Sequence, residues 1–198
     1  MQTLPLLILA SALAFHVPHW QPEDDVGGMH VEVKDVPGSH FQDIRITTTS
    51  ELSLQSLCEA IYAKQFDGKL EGRFKKRELI KETATERWTY EQISVPITSD
   101  RDYVMHVRLL RPASSGACEV SFRTEDDGSR PPPEGFVRIK KIRGRWELSP
   151  TADGKVAITY EVFSDPGGNL PAFVVRGPQK DAAVEFMKTI LARAEAKK

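Results

Sequence analysis

Residues 155–195 read KVAITYEVFSDPGGNLPAFVVRGPQKDAAVEFMKTILARAE, and this stretch decides the fold. Apolar side chains alternate over 155–164, which predicts a strand. Asp165–Gly168 predicts a tight reversal, because proline fixes φ and glycine tolerates positive φ. The final 20 residues return to helical spacing, with one apolar stripe made of Val184, Met187, Ile190, Leu191 and Ala194. An amphipathic helix of this kind must bury its stripe, and a sheet is the available partner.

Upstream of this stretch the sequence predicts further strands and one short helix. A helix is expected from Ser53, a good N-cap, to about Lys64, and residues 66–75 are interpreted as a loop. Alternating patterns and turn residues place candidate strands at 29–36, 43–50, 77–83, 86–94, 102–111, 117–125 and 136–148. This order predicts an α+β fold in which a curved antiparallel sheet grips a long C-terminal helix. Residues 20–198 are expected to form one domain.

The bulk composition excludes some functions. Lys plus Arg number 27 and Asp plus Glu 28, so the formal net charge is −1. A nucleic-acid-binding protein usually carries a basic excess, so no nucleic-acid partner is expected. The hydrophobic content of 40% is that of an ordinary globular protein. We also expect the protein to be a monomer.

The first residues resemble an export signal. Leu4 to Ala14 is an uncharged apolar run that closes with Ala12-Leu13-Ala14, a small-residue cleavage pattern. We therefore predict a signal peptide over residues 1–14 and an exported protein, periplasmic or secreted. Met1-Gln2-Thr3 brings no basic residue, so an uncleaved anchor or a misassigned start stays open, with a cytoplasmic or membrane-associated protein as the consequence.

Two cysteines, Cys58 and Cys118, allow two interpretations. An exported protein with an even number of cysteines can form a disulfide. Free cysteine is also among the most buried residue types. Since sequence cannot place the two Cα atoms within bonding distance, we favour two buried, unpaired cysteines.

Four motifs together resemble the START domains, the steroidogenic-acute-regulatory-related lipid-transfer family. They occur in the family's order: Pro96-Ile97-Thr98-Ser99-Asp100-Arg101-Asp102-Tyr103-Val104, Pro133-Glu134-Gly135-Phe136-Val137-Arg138, Trp146-Glu147-Leu148-Ser149-Pro150 and Asp165-Pro166-Gly167-Gly168-Asn169-Leu170-Pro171. Each is weak alone, but four at compatible spacing make a specific signal. The resemblance spans about Trp20 to the end of the chain and implies a helix-grip fold.

This resemblance also implies a function. Its members hold one lipid in a closed internal cavity, and the loop with Pro96, Ile97 and Thr98 would be a lid together with the last helix. The expected partner is a lipid or other hydrophobic small molecule, with transient membrane contact and no cofactor or metal. Several members place an arginine six positions beyond the Arg of the Arg-Asp pair. Val107 stands there in this chain, and Arg108 points to the opposite strand face, so the resemblance favours a more apolar ligand.

The period of two assigns the side chains that would line such a cavity. From pattern alone these rows are a filled core, and only the resemblance makes them a lining. Glu91 is the polar candidate, and Tyr90 faces the other way. Buried without the family's arginine, Glu91 would be protonated or paired with a ligand hydroxyl or water; a solvent-exposed strand glutamate is an equal alternative. The predicted lining is Glu91, Tyr103, Met105, Val107, Leu109, Val120, Phe122, Ile158, Tyr160, Val162, Val184, Met187, Ile190 and Leu191.

The sequence shows no catalytic constellation: no Gly-x-Ser-x-Gly, no His-Glu-x-x-His and no phosphate-binding glycine loop. A lipid carrier or sensor without enzymatic activity is therefore the first hypothesis. The alternative is a helix-grip enzyme of the cyclase, aromatase or hydrolase type acting on a hydrophobic substrate. Paired ionisable groups inside the cavity would favour the enzyme, and an interior filled by side chains would favour a ligandless interaction module.

Overall fold

A computed structural model describes residues 18–62, 73–95, 98–126, 128, 130–139, 141–168 and 172–196. The predicted signal peptide, residues 1–14, lies outside these ranges. The strands are β1 (Gln21–Pro22), β2 (His30–Asp35), β3 (Gln42–Ser50), β4 (Phe74–Glu82), β5 (Glu86–Ile93), β6 (Asp100–Arg111), β7 (Cys118–Thr124), β8 (Phe136–Arg138), β9 (Lys141–Pro150) and β10 (Val156–Asp165). The helices are α1 (Leu54–Tyr62) and α2 (Ala172–Glu195), and Ala113–Ser115 forms a 3₁₀ turn.

The strands form one sheet in the order β1-β2-β3-β10-β9-β7-β6-β5-β4, in which neighbours are antiparallel. Both helices pack on one face of this sheet, which is called the inner face below, and they also pack on each other. The predicted order of strands and helices is thereby confirmed. Because the chain returns from β3 through α1 to the opposite sheet edge at β4, the last strand, β10, completes the middle of the sheet.

Helix α1 begins as the sequence predicts. The backbone N–H of Ser56 donates to the Ser53 hydroxyl at 3.0 Å, so Ser53 is the N-cap. Leu57, Cys58 and Ala60 are buried against the sheet and α2. The predicted loop at 66–75 lies mostly outside the described residues, and β4 begins at Phe74, earlier than expected.

Helix α2 is longer than the 20 residues predicted for it. It begins at Ala172 and passes through Pro178, which cannot donate a backbone hydrogen bond. Val184, Met187, Ile190 and Ala194 are buried, which confirms the predicted apolar stripe. No helix in the described ranges is long and apolar enough to cross a bilayer.

The single strand predicted over 136–148 is wrong. It is two strands, because β8 pairs parallel to the start of β6, whereas β9 pairs antiparallel with β7 and β10. The chain must change partners, and it does so at Ile139, whose N–H donates to the Asp102 carbonyl oxygen at 2.9 Å. The two-residue strand β1, paired with β2, was also missed.

The preference for unpaired cysteines is also wrong. Cys58 of α1 and Cys118 of β7 form a disulfide with a Cα–Cα distance of 5.9 Å. Both residues are buried, as the favoured interpretation expected, so burial could not separate paired from unpaired cysteines. The packing of α1 on β7 is what brings them together, and it closes a sequence separation of 60 residues.

Candidate functional site

The inner face of β6 carries the row of side chains that the sequence predicted. Tyr103 and Met105 are buried, whereas Val107 and Leu109 are only partly buried against the core. Val107 lies beside Phe122 of β7 in the strand register, and Phe122 is also partly buried. The inner face therefore keeps apolar surface along these two strands.

A glycine makes room for the Phe122 ring. Gly144 of β9 is the register neighbour of Phe122, and a Cβ on it would collide with that ring and with the backbone oxygen of Glu161. Val162 of β10, partly buried, follows on the other side of Gly144. The missing side chain thus lets an aromatic ring lie across the strand.

The other predicted lining residues are packed into the core. Trp146 stacks on Tyr160 with ring centroids 4.1 Å apart, and burial raises the pKa of Tyr160. Leu191 of α2 is partly buried at the edge of this group. A ligand could reach the buried members only if the core opened; they are Val120, Ile158, Tyr160, Val184, Met187 and Ile190.

Glu91 is buried on the inner face, which excludes the solvent-exposed alternative, and its partner is an arginine of another strand. The Arg77 Nε donates to Glu91 Oε1 at 2.9 Å from β4, and the Thr89 hydroxyl donates to the same oxygen at 3.0 Å. Burial, and to a smaller extent the negative charge of the neighbouring Glu91, holds the pKa of Tyr103 well above its usual value. Tyr90 faces the other way, as predicted. The inner face at β4–β6 therefore carries a buried ion pair.

A cleft of about 610 Å³ opens at this side of the inner face, between α1, the β4–β5 turn and the 3₁₀ turn after β6. Leu109 is the predicted lining residue that it contains. Sequence reasoning missed Arg87, a buried cation in its wall, although alternation from Glu91 through Thr89 places Arg87 on the same face. The lining is Gln55, Cys58, Glu59, Tyr62, Glu82, Thr83, Ala84, Arg87, Leu109, Pro112, Ala113 and Ser114.

A second, smaller cleft of about 270 Å³ lies at the other side, between the start of α2 and strands β2 and β3. Its lining includes Val33, Ile44 and Gly177, together with the charged side chains of Arg176 and Lys180. The Lys180 Nζ donates to Glu23 at 2.9 Å, so this cleft is bridged by an exposed ion pair. None of the predicted lining residues lies in it.

The predicted lid is described only at Thr98, since Pro96 and Ile97 lie outside the described residues. Thr98 Oγ1 accepts from the buried Arg101, whose Nη1 also contacts the Ser99 carbonyl oxygen. On its other side, the Arg101 Nε donates to the Pro166 carbonyl oxygen at 2.9 Å. Arg101 thus joins the loop before β6 to the turn that follows β10.

Asp102 anchors a separate network beneath the same loop. Asp102 is fully buried and accepts two hydrogen bonds from Arg138, at 3.0 and 2.8 Å, and one from the Tyr90 hydroxyl at 3.1 Å. These bonds raise the pKa of Arg138 further above its ordinary value. Arg101 and Asp102 together tie the loop before β6 to neighbouring segments by charge-assisted hydrogen bonds.

The outer face of the same strands carries a polar cluster around His106. Its ring stacks on Trp88 at 4.1 Å, and its Nδ1 and Nε2 lie 2.9 Å from Glu125 and 3.3 Å from Glu86. Hydrogen bonds from Arg123, then Trp88 and His106, lower the pKa of Glu125 to about 2. Among the described residues, no three His, Cys, Asp or Glu side chains are grouped to hold a metal ion.

No model of a known protein family matches the chain. It is 27% identical over 181 residues to an uncharacterized protein of Pseudomonas aeruginosa, an alignment that covers 89% of this chain and 87% of the relative.

Solved structures are similar over the same extent. A STAR-related lipid transfer protein from Xanthomonas axonopodis is 27% identical, with a TM-score of 0.76, and the match covers 89% of this chain and 98% of that one. Human StAR-related lipid transfer protein 5 is 18% identical, with a TM-score of 0.75 and coverages of 89% and 86%. The predicted helix-grip fold and the resemblance to START domains are confirmed.

A more distant structural similarity is to a protein of a biosynthetic pathway. The di-domain ARO/CYC StfQ from the steffimycin biosynthetic pathway has a TM-score of 0.53 at 12% identity. The match covers 78% of this chain and 49% of that one. At this identity the likeness shows the fold alone, and function must be argued from the site.

Proposed function

Taking the chain as a helix-grip protein with the fold of START lipid-transfer domains, we propose that it binds one hydrophobic ligand, a lipid or sterol-like molecule, and acts as a carrier or sensor. One observation carries this proposal: a row of partly buried apolar side chains on the inner face runs into the large cleft. A monomeric core would normally cover such surface with its own side chains. The row consists of Val107 and Leu109 of β6, Phe122 of β7 and Val162 of β10, and Leu191 of α2 is likewise only partly buried.

Hydrophobic burial is large enough to hold such a ligand. Each buried methylene contributes about 0.8 kcal/mol, so a tail of about a dozen methylenes contributes roughly 10 kcal/mol. Association costs about 4–15 kcal/mol in lost freedom. Against the lower end of this cost a lipid-sized tail gives net binding, whereas a ligand of a few carbons does not. The cleft volume of about 610 Å³ falls in the usual range for ligand sites, about 300–1,000 Å³.

Export fits the same proposal. The disulfide between Cys58 and Cys118 supports an oxidising compartment, since cytosolic proteins rarely keep such bonds. This support is independent of the apolar run at Leu4–Ala14. The proposed protein is a monomeric carrier that is periplasmic or secreted and exchanges its ligand through transient membrane contact.

Native mass spectrometry of the protein purified from its own host tests ligand binding. We expect one lipid per chain, identified after organic extraction. Leu109→Glu should abolish the bound mass by placing a charge on the inner face. Leu110→Glu is the matched control. Leu110 is 46% exposed, and because it follows Leu109 in the strand, its side chain points away from the inner face. A clean apo mass that persists after incubation with mixed lipids would contradict the proposal.

The buried pair of Arg77 and Glu91 beside Tyr103 favours a second candidate, a helix-grip enzyme acting on a hydrophobic substrate. Against it, Glu91 is already bonded by Arg77 and Thr89, and a tyrosine with a raised pKa is a weak acid. Incubating the extracted ligand with wild type and with Glu91→Gln separates the two candidates. A carrier returns the ligand with unchanged mass. Conversion by the wild type that Glu91→Gln abolishes would establish the enzyme.

A further inference from the structure

Two apolar clusters on the inner face of the sheet meet at one phenylalanine. The larger cluster lies beneath α1 and α2. The second lies toward the start of β6 and consists of Tyr103, Met105 and Ile139, with Phe74, Ile93 and Ile142 packed against it. Val107 of β6 and Phe122 of β7 pack against both clusters, and they are neighbours in the strand register. Since valine is small, the Phe122 ring is the larger group at this junction.

The Phe122 ring extends sideways toward β10. It occupies the place of a side chain on Gly144 of β9, because a Cβ there would collide with the ring. Its centre lies 6.2 Å from that of the Tyr160 ring on β10, and the Tyr160 ring lies 5.9 Å from that of Phe186 on α2. A chain of three aromatic rings therefore runs across the inner face from β7 to the helix that covers it.

The large cleft ends at this chain of rings. Leu109 lines the cleft, whereas Val107, the next inward-facing residue of β6, and Phe122 beside it do not. Tyr103 of the second cluster lies six residues from Leu109 on the same strand, a distance of about 20 Å. A ligand tail that enters by the cleft must therefore pass Phe122 before it reaches the second cluster.

On this geometry, and resting on the proposed function, we propose that Phe122 limits the length of the apolar chain that the protein binds. The tail enters from the cleft, runs along Leu109 and ends against the Phe122 ring. Methylenes beyond that length stay outside in water and add nothing to affinity. Removing the ring would join the cleft to the second cluster, because Gly144 has no side chain to fill the space.

A series of unbranched fatty acids from octanoate to octadecanoate tests this limit by equilibrium dialysis against the full chain. The free acid is kept below the concentration at which it self-associates. Each buried methylene tightens binding about fourfold. For wild type we expect affinity to rise at about this rate and then to level off at a definite chain length. A rise that continues through octadecanoate would contradict the proposal.

Variants assign the limit to Phe122. With Phe122→Ala the levelling-off should move to a chain at least two carbons longer, and octadecanoate should bind at least about tenfold more tightly than to wild type. Phe122→Leu should give a smaller shift in the same direction. Phe41→Ala is the matched control, because Phe41 is 9% exposed and packs on Phe163 in a separate cluster. It should level off at the wild-type length.

A labelling experiment on the wild type needs no variant. A fatty acid of the limiting length, with a photoreactive diazirine on its last carbon, is bound and irradiated, and the modified residues are identified by peptide mass spectrometry. We expect label on Phe122 or Val107. Label on Tyr103 or Ile139 would show that the tail passes the ring, and the proposal would be overturned.

The outcomes separate this inference from the function on which it rests. If Phe122→Ala levels off at the wild-type length, the inference is overturned and the carrier proposal stands. If no fatty acid and no natural lipid binds the wild type, the carrier proposal itself fails. Should both Phe122 variants fail to fold by circular dichroism, the position of the label in wild type still decides the matter.

Discussion

The two halves of the inner face differ in what they bury. The half made by β3, β10 and β9 is closed by the helices and holds apolar side chains such as Trp146 and Met187, each with almost no exposed surface. The half made by β4, β5 and β6 buries Arg87 and Glu91 next to partly covered apolar side chains, and Arg77 beside them is partly buried. One half resembles a protein core, and the other resembles a binding site.

The difference teaches where stability and function separate in this fold. Apolar burial stabilises the first half directly. Buried charges stabilise little on balance, because desolvation offsets much of their attraction. The second half bears this desolvation cost although an apolar core adjoins it. We therefore expect the binding role in that half.

The largest effect is expected in the apolar half. Trp146→Ala removes a side chain that is 1% exposed and stacked on Tyr160. We expect a loss of about 3–5 kcal/mol in the free energy of unfolding, measured by urea denaturation. Leu110→Ala, at an exposed site, should cost less than about 0.5 kcal/mol. A small loss at Trp146 would mean that this half is not the stabilising core.

The disulfide lies between the two halves, since it ties α1 to β7, the strand between β9 and β6. Replacing both cysteines by serine, Cys58→Ser with Cys118→Ser, should lower the free energy of unfolding by about 2–4 kcal/mol, because the unfolded chain regains the freedom of a long closed loop. Chemical reduction of the wild type should lower it equally. Reductant should leave the double variant unchanged, and a shift there would show that the effect is not due to this bond.

A double-mutant cycle tests the ion pair of the charged half. Arg77→Met leaves Glu91 buried without its cation and should cost about 2–3 kcal/mol, less than a fully buried pair because Arg77 keeps some exposure. Adding Glu91→Met should recover most of this loss, since two apolar side chains need no counter-charge. If the double variant is less stable than Arg77→Met alone, the pair is a net stabiliser and the two halves are alike in this respect.

The sequence predicted the fold well because alternation and turn residues report local structure directly. The strand predicted over 155–164 was placed to within one residue, since β10 is Val156–Asp165. The change of partner between β8 and β9 was missed, since pairing is not a property of one strand. The Cys58–Cys118 bond was missed for the same reason: it depends on how α1 packs.

The charged half of the site was missed from the sequence because the residue pattern of strand β5 is unusual. Its outward side chains include Trp88 and Tyr90, and its inward ones are Arg87, Thr89 and Glu91. A pattern argument expects aromatic residues inside and charges outside, and here the faces are exchanged. Glu91 was assigned inward only from the family resemblance, and the same alternation would have found Arg87. Arg77 could not be found, because the register of β4 against β5 is set by two irregular pairings.

The smallest effect is expected on the outer face of these strands and concerns pH. The pKa of Glu125 is lowered to about 2 in the folded chain by Arg123, Trp88 and His106, against about 4.3 when unfolded. The unfolded chain therefore binds a proton more readily, so this contribution is complete above about pH 5 and is lost as pH falls toward 2. Because Glu125 is 38% exposed, solvent screening keeps the effect below about 1 kcal/mol. Glu125→Gln should flatten the acid limb of the stability curve while Glu119→Gln leaves it steep, and equal flattening by both would assign the effect to net charge.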